Sequence, residues 1–148
     1  MLLLFPYNLK SLLLLLSDKD VLATEIRKKY SKAVLFGMQE LINPAIEPIV
    51  REFKAALQHL YGERLREVIL FGSYARGDYD EESDIDLLVV LNDKEVNTIN
   101  EVFKLSDLTL QFILQYGKAV SVLPVASQKY RSSLMPVYQN ARLEGLHV

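Results

Sequence analysis

Two short apolar runs, Val68 to Phe71 and Ile85 to Leu91, bracket a segment that opens on Gly72-Ser73. The second run is entered through Asp84-Ile85-Asp86, with ten residues between Ser73 and Asp84. Both runs favour strand conformation and both are bounded by turn-forming residues, as buried strands are. The centre of the chain is thereby committed to strand, tight turn, strand, which leaves few folds open.

Each part of the segment has a chemical reading. Gly72 lets backbone approach a ligand with no Cβ in the way, and Ser73 adds a hydroxyl to the N–H groups of the turn and the following helix, so the pair suits a triphosphate. Asp84 and Asp86 lie two residues apart, so on a strand both carboxylates point to one face while Ile85 points to the other. Mg²⁺ is commonly held by one or two carboxylates together with substrate phosphates, and a metal pair about 3.5–4 Å apart stabilises both attacking and leaving oxygens. A Gly-Ser turn alone is ordinary loop chemistry, and Asp-x-Asp alone is often a solvated strand start. Their union across Tyr74-Ala75-Arg76-Gly77 and the acidic turn Asp78 to Glu82 carries the functional reading.

Residues 68 to 91 resemble the GS-x10-DxD core of the DNA polymerase β nucleotidyltransferase superfamily, in particular the minimal nucleotidyltransferases of bacteria and archaea. The order of elements extends the likeness over 44–148. The resemblance implies an α/β (α+β) nucleotidyltransferase fold, a small mixed β-sheet flanked by helices, preceded by an N-terminal helical extension over 1–43. It implies metal-dependent transfer of a nucleoside monophosphate from ATP or another NTP, with Gly72 and Ser73 on the phosphates and Asp84 and Asp86 on Mg²⁺ as the catalytic pair. Minimal domains of this type are often encoded beside a HEPN-domain toxin, which they neutralise by complex formation and by adenylylating a tyrosine.

One position departs from the family pattern. The superfamily's third carboxylate sits on a later strand, matched here by Ala119 to Val125, where Ser121 takes the acidic position. No Asp or Glu lies between Asp107 and Glu144, so a small slip of alignment restores no acid. Serine is a poor metal ligand and a poor general base. Two readings follow: an enzyme that transfers AMP, and a catalytically degenerate module that binds nucleotide or partner. Asp78, Asp80, Glu81 and Glu82 are candidate substitutes, though a solvated acidic tip is the plainer reading. Arg76 either stabilises charge on the triphosphate or clamps the turn by pairing with a nearby acid. Tyr74 is a candidate for stacking on a base.

With 148 residues the chain has room for one core but not for the accessory domain with which aminoglycoside nucleotidyltransferases hold their drug. Its 17 Lys plus Arg against 19 Asp plus Glu give a net charge of −2 and no basic field for nucleic acid. The absence of cysteine excludes disulfides and thiolate metal sites and fits a cytoplasmic chain. Met1 to Pro6 and Leu12 to Leu16 are strongly apolar, yet Lys10, Asp18 and Lys19 interrupt them before the length of a membrane span. Residues 1–43 have no counterpart in the minimal domain. They are read as a packed helical addition, an oligomerisation element of a possible homo-oligomer, or an over-long start.

Helical spacing of Ile46, Ile49, Val50, Phe53, Leu57 and Leu60 predicts a helix opened by Pro44 or Pro48 and closed by Gly62. His59 on it is a surface residue rather than a ligand. A long helix capped by Asn92 or Asp93 and ending near Gly117 is expected to cover the sheet with Ile99, Val102, Phe103, Leu110, Ile113 and Leu114.

Overall fold

A computed structural model describes residues 42–148; the extension expected over 1–43 lies, save its last two residues, outside the described residues. Helix α1 (Glu47–Tyr61) leads through a 3-10 turn (Gly62–Arg64) into β1 (Leu65–Phe71), followed by the short α2 (Gly72–Arg76) and β2 (Ile85–Leu91). Then come α3 (Thr98–Tyr116), β3 (Val120–Ala126), α4 (Ser127–Ser132), α5 (Pro136–Glu144) and the two-residue β4 (Leu146–His147). The four strands form one sheet in the order β3-β2-β1-β4. β1 runs antiparallel to β2 and to β4, and β2 runs parallel to β3, so the sheet is mixed.

The sheet is covered on both faces, which explains the unbroken apolar runs of β1 and β2 where a one-sided sheet would alternate. Val68, Leu70, Ile85, Leu87, Val89 and Leu91 join Phe53 and Leu57 of α1 and Leu105 and Phe112 of α3 in one core. Ile69, Leu88 and Val90 project to the other side, against Tyr130 of α4 and Tyr138 and Ala141 of α5. Phe53 meets Phe112 edge-on at 4.8 Å between ring centroids, tying α1 to α3. Pro124 sits in the edge strand β3, where proline is tolerated, and its carbonyl accepts from the Thr98 hydroxyl at 3.1 Å. No helix among the described residues is long and apolar enough to cross a membrane.

Three expectations are corrected. Leu60 is exposed, and the buried residue at that end of α1 is Tyr61. The long helix is capped by Asn97, whose side chain accepts from the Asn100 N–H at 3.1 Å. Asn92 and Asp93 are engaged elsewhere: Asn92 donates to the Glu63 carbonyl and Asp93 pairs with Arg64. Most consequentially, Ile99, Val102, Phe103, Leu110, Ile113 and Leu114 all face outward. The side of α3 turned to the sheet carries Leu105 and Phe112, with buried Glu101 accepting hydrogen bonds from Tyr61, Arg64 and Lys104. The helix bears apolar stripes on two opposite sides, and periodicity alone does not say which one meets the core.

Candidate active site

The antiparallel pairing of β1 and β2 places Phe71 opposite Asp86, so the turn that leaves β1 lies directly against the carboxylates that enter β2. Gly72 adopts φ +71°, and a Cβ built there would come within 2.3 Å of Asp86 Oδ2. Only glycine leaves room for that carboxylate beside the backbone and also takes this φ without strain. Gly72 and Ser73 open α2, which closes at Gly77 in a left-handed conformation, its N–H donating to the Ser73 carbonyl at 2.8 Å.

Asp84 is exposed one residue before β2, Ile85 is fully buried on the opposite side, and Asp86 is half-buried. Burial raises the Asp86 carboxyl above its ordinary value, and the negative charge of Asp84 pushes in the same direction. The Arg76 guanidinium and the Ser121 hydroxyl pull it back. A carboxylate whose charge is disfavoured by burial and by a neighbouring acid is relieved by a cation, so this donor set fits a divalent ion completed by substrate phosphates. Among the described residues no group of three or more His, Cys, Asp or Glu side chains is placed to hold a metal.

β3 contributes no third acid. The residue in register with Asp86 across the parallel β2–β3 pair is Ser121, exposed at the sheet edge. In the acidic turn the carboxylates are exposed or held by local contacts. Asp78 pairs with Arg76 Nε at 3.2 Å, which is the clamping arrangement for Arg76. Asp80 is taken up by its own loop, accepting from the Glu82 N–H and the Ser83 hydroxyl. Glu81 and Glu82 are exposed.

Tyr74 has a structural partner in place of a base. Its ring stacks on Tyr79 at 4.5 Å with planes 13° apart, and Lys118 Nζ lies 5.7 Å from the Tyr74 centroid. Lys118 also donates to the Glu81 carbonyl. Lys118 and Tyr79 together fix the loop that delivers Asp84, and neither was singled out in the sequence. Lys118 lies 34 residues beyond Asp84, brought back by the α3 crossover, so no local spacing marks it. A concavity of about 500 Å³, lined by Lys94, Glu95, Thr98 and Lys129, opens at the opposite end of the β2–β3 pair and belongs to no part of this site.

A model of the nucleotidyltransferase domain family matches residues 50–132. Two proteins of Methanocaldococcus jannaschii, each named "Putative protein adenylyltransferase", are 36% identical to the chain. One aligns over 96 residues, 65% of this chain and 94% of the relative. The other aligns over 88 residues, 60% of this chain and 81% of the relative. Among solved structures, a "toxin-antitoxin with AMP-PNP" aligns over 65% of this chain and 69% of its own, at 22% identity and a TM-score of 0.47. A "putative minimal nucleotidyltransferase" aligns over 70% of this chain and 95% of its own, at 22% identity and a TM-score of 0.46. The chain belongs to the nucleotidyltransferase domain family and is an enzyme of that class.

Proposed function

We propose that this chain transfers AMP from ATP to a hydroxyl of a protein acceptor, with Asp84 and Asp86 as the metal-binding catalytic pair and Gly72, Ser73 and Arg76 on the nucleotide phosphates. The observation that carries this reading is the approach of Gly72 to Asp86: it joins the phosphate-binding turn to the carboxylates with no side chain between them. In the reaction the acceptor hydroxyl gives its proton to solvent, its oxygen bonds to the α-phosphorus, the bond from that phosphorus to the bridging α–β oxygen breaks, and pyrophosphate leaves with that bond's electron pair. Mg²⁺, when bound, neutralises phosphate charge and polarises the reacting phosphoryl group. Asp84 and Asp86 hold that charge in place, Gly72 admits the phosphates close to backbone, and Ser73 offers a hydroxyl to them. Arg76 keeps the turn in shape through Asp78 and adds positive potential near Asp86.

The acceptor class follows the name of the Methanocaldococcus jannaschii relatives, and the acceptor itself follows the family resemblance: a HEPN-domain toxin paired with this chain in the cytoplasm as its antitoxin. Residues 44–148 are taken as the catalytic domain and 1–43 as an extension to it. The test is intact-mass spectrometry of the neighbouring HEPN-domain protein after incubation with this chain, ATP and Mg²⁺, with Asp86→Asn as control. An adenylyl mass that disappears with the variant supports the proposal. A second reading is favoured by Ser121 beside Asp86: a binding module that holds partner or nucleotide without transfer. It predicts co-elution of the two proteins with no added mass.

A further inference from the structure

The outward stripe of α3 serves neither the core nor the site. Ile99, Phe103 and Leu114 are 69%, 72% and 78% exposed, with Val102, Leu110 and Ile113 between them. At 100° per residue the six fall within one arc opposite Leu105 and Phe112, and at 1.5 Å per residue they run along roughly 22 Å of helix. The six expose on the order of 700 Å², close to the ~800 Å² that each partner brings to a standard stable interface. The one polar side chain within the stripe is already satisfied: the Ser106 hydroxyl donates to the Phe103 carbonyl at 2.7 Å, so covering it strands no donor.

Four of the six are also placed symmetrically about one midpoint, with the Val102–Ile113 pair centred one residue later. Ile99 and Leu114 lie equally far from the Ser106–Asp107 bond, and so do Phe103 and Leu110. An antiparallel copy of the same helix therefore meets apolar residues at matching heights, and the small Ser106 at the centre permits close approach of the two helices. We propose that α3 is a homodimer interface, in which a second copy of this chain packs antiparallel about a two-fold axis between Ser106 and Asp107, Ile99 facing the partner's Leu114 and Phe103 facing the partner's Leu110.

The full chain should then sediment as a dimer at micromolar concentration, and Phe103→Glu or Leu110→Glu should each yield a monomer with unchanged circular dichroism, since both side chains are exposed, and with a melting temperature that no longer rises with protein concentration as the wild type's does. The chain has no cysteine, so single replacements report geometry directly. Ser106→Cys should form an intermolecular disulfide on mild oxidation. Ile99→Cys alone should not, but a mixture of Ile99→Cys with Leu114→Cys should. A monomeric wild type, a dimer that survives both Glu variants, or Ser106→Cys chains that stay unlinked would each overturn the proposal, including the case where this face takes a different protein.

Discussion

Ser121 stands directly in register with Asp86 across the parallel β2–β3 pair, its hydroxyl helping to hold that carboxylate in its charged form. The side chain is exposed, so a carboxylate can be installed there without disturbing the core. Ser121→Asp adds a third negative charge beside Asp84 and Asp86, which repel one another in the absence of a cation. The variant should melt a few degrees below wild type in chelator and recover or exceed it in millimolar Mg²⁺ or Mn²⁺. Transfer to the partner should rise at least several-fold. Thermal melts with and without metal, run beside a transfer assay, check both arms; no metal response would remove Ser121 from the site.

Asp86→Asn should separate stability from activity. With the folded carboxyl raised above its unfolded value, the folded state binds more protons, and stability falls as pH rises through the window between the two values. At neutral pH the charge therefore costs stability, and the neutral amide removes that cost while removing a proposed metal ligand. The expected result is a higher melting temperature than wild type at neutral pH, with loss of transfer. The gain should shrink as pH is lowered and the wild-type carboxyl takes up its proton. Urea melts at neutral and acidic pH measure it directly.

Gly72→Ala meets two penalties at once, the φ of +71° and a Cβ 2.3 Å from Asp86 Oδ2. A loss of about 2 kcal/mol is expected, together with displacement of the Asp86 carboxylate and loss of transfer. Truncating the obstructing group relieves only the steric share. Gly72→Ala combined with Asp86→Ala should thus be less destabilised than the sum of the two single changes, and a double-mutant cycle by denaturant unfolding reads that coupling.

The pair of central strands was legible because burial on both faces writes itself as an unbroken apolar run, and the turn because Gly72-Ser73 ends one; that Gly72 makes room for Asp86 was not, since only the antiparallel return brings the two together. The face of α3 was not. Its outward stripe holds six large apolar residues and its inward stripe includes a glutamate, so hydrophobicity pointed the wrong way; only Tyr61, Arg64 and Lys104, from other parts of the sequence or the next turn, make Glu101 acceptable inside. Lys118 was silent for a related reason. Its partners Tyr74 and Glu81 lie far back in the chain, and a lone lysine after a helix has no pattern that announces them.

The Glu101 cluster gives a prediction that leaves the chemistry untouched, since Tyr61 and Arg64 lie at the end of β1 remote from Gly72. Burial pushes the Glu101 carboxyl up, but hydrogen bonds from Arg64, Lys104 and Tyr61 outweigh it and hold the group below its ordinary value. A depressed carboxyl contributes stability above its unfolded value and loses that contribution as pH falls through the folded one. Burial also raises the Tyr61 phenol, with the hydrogen bond to Glu101 adding to the shift, so at neutral pH the hydroxyl stays a donor, 2.9 Å from the carboxylate. Tyr61→Phe removes one of three donors and should cost about 1 kcal/mol; Glu101→Ala strands the Tyr61 hydroxyl and leaves two cations without their shared anion, and should cost about 1–3 kcal/mol. Both losses should be full at neutral pH and narrow as the pH drops below the ordinary glutamate range, while transfer assayed at neutral pH and below the melting temperature stays at the wild-type level. Denaturant melts across that pH range, paired with the transfer assay, would detect a failure on either side.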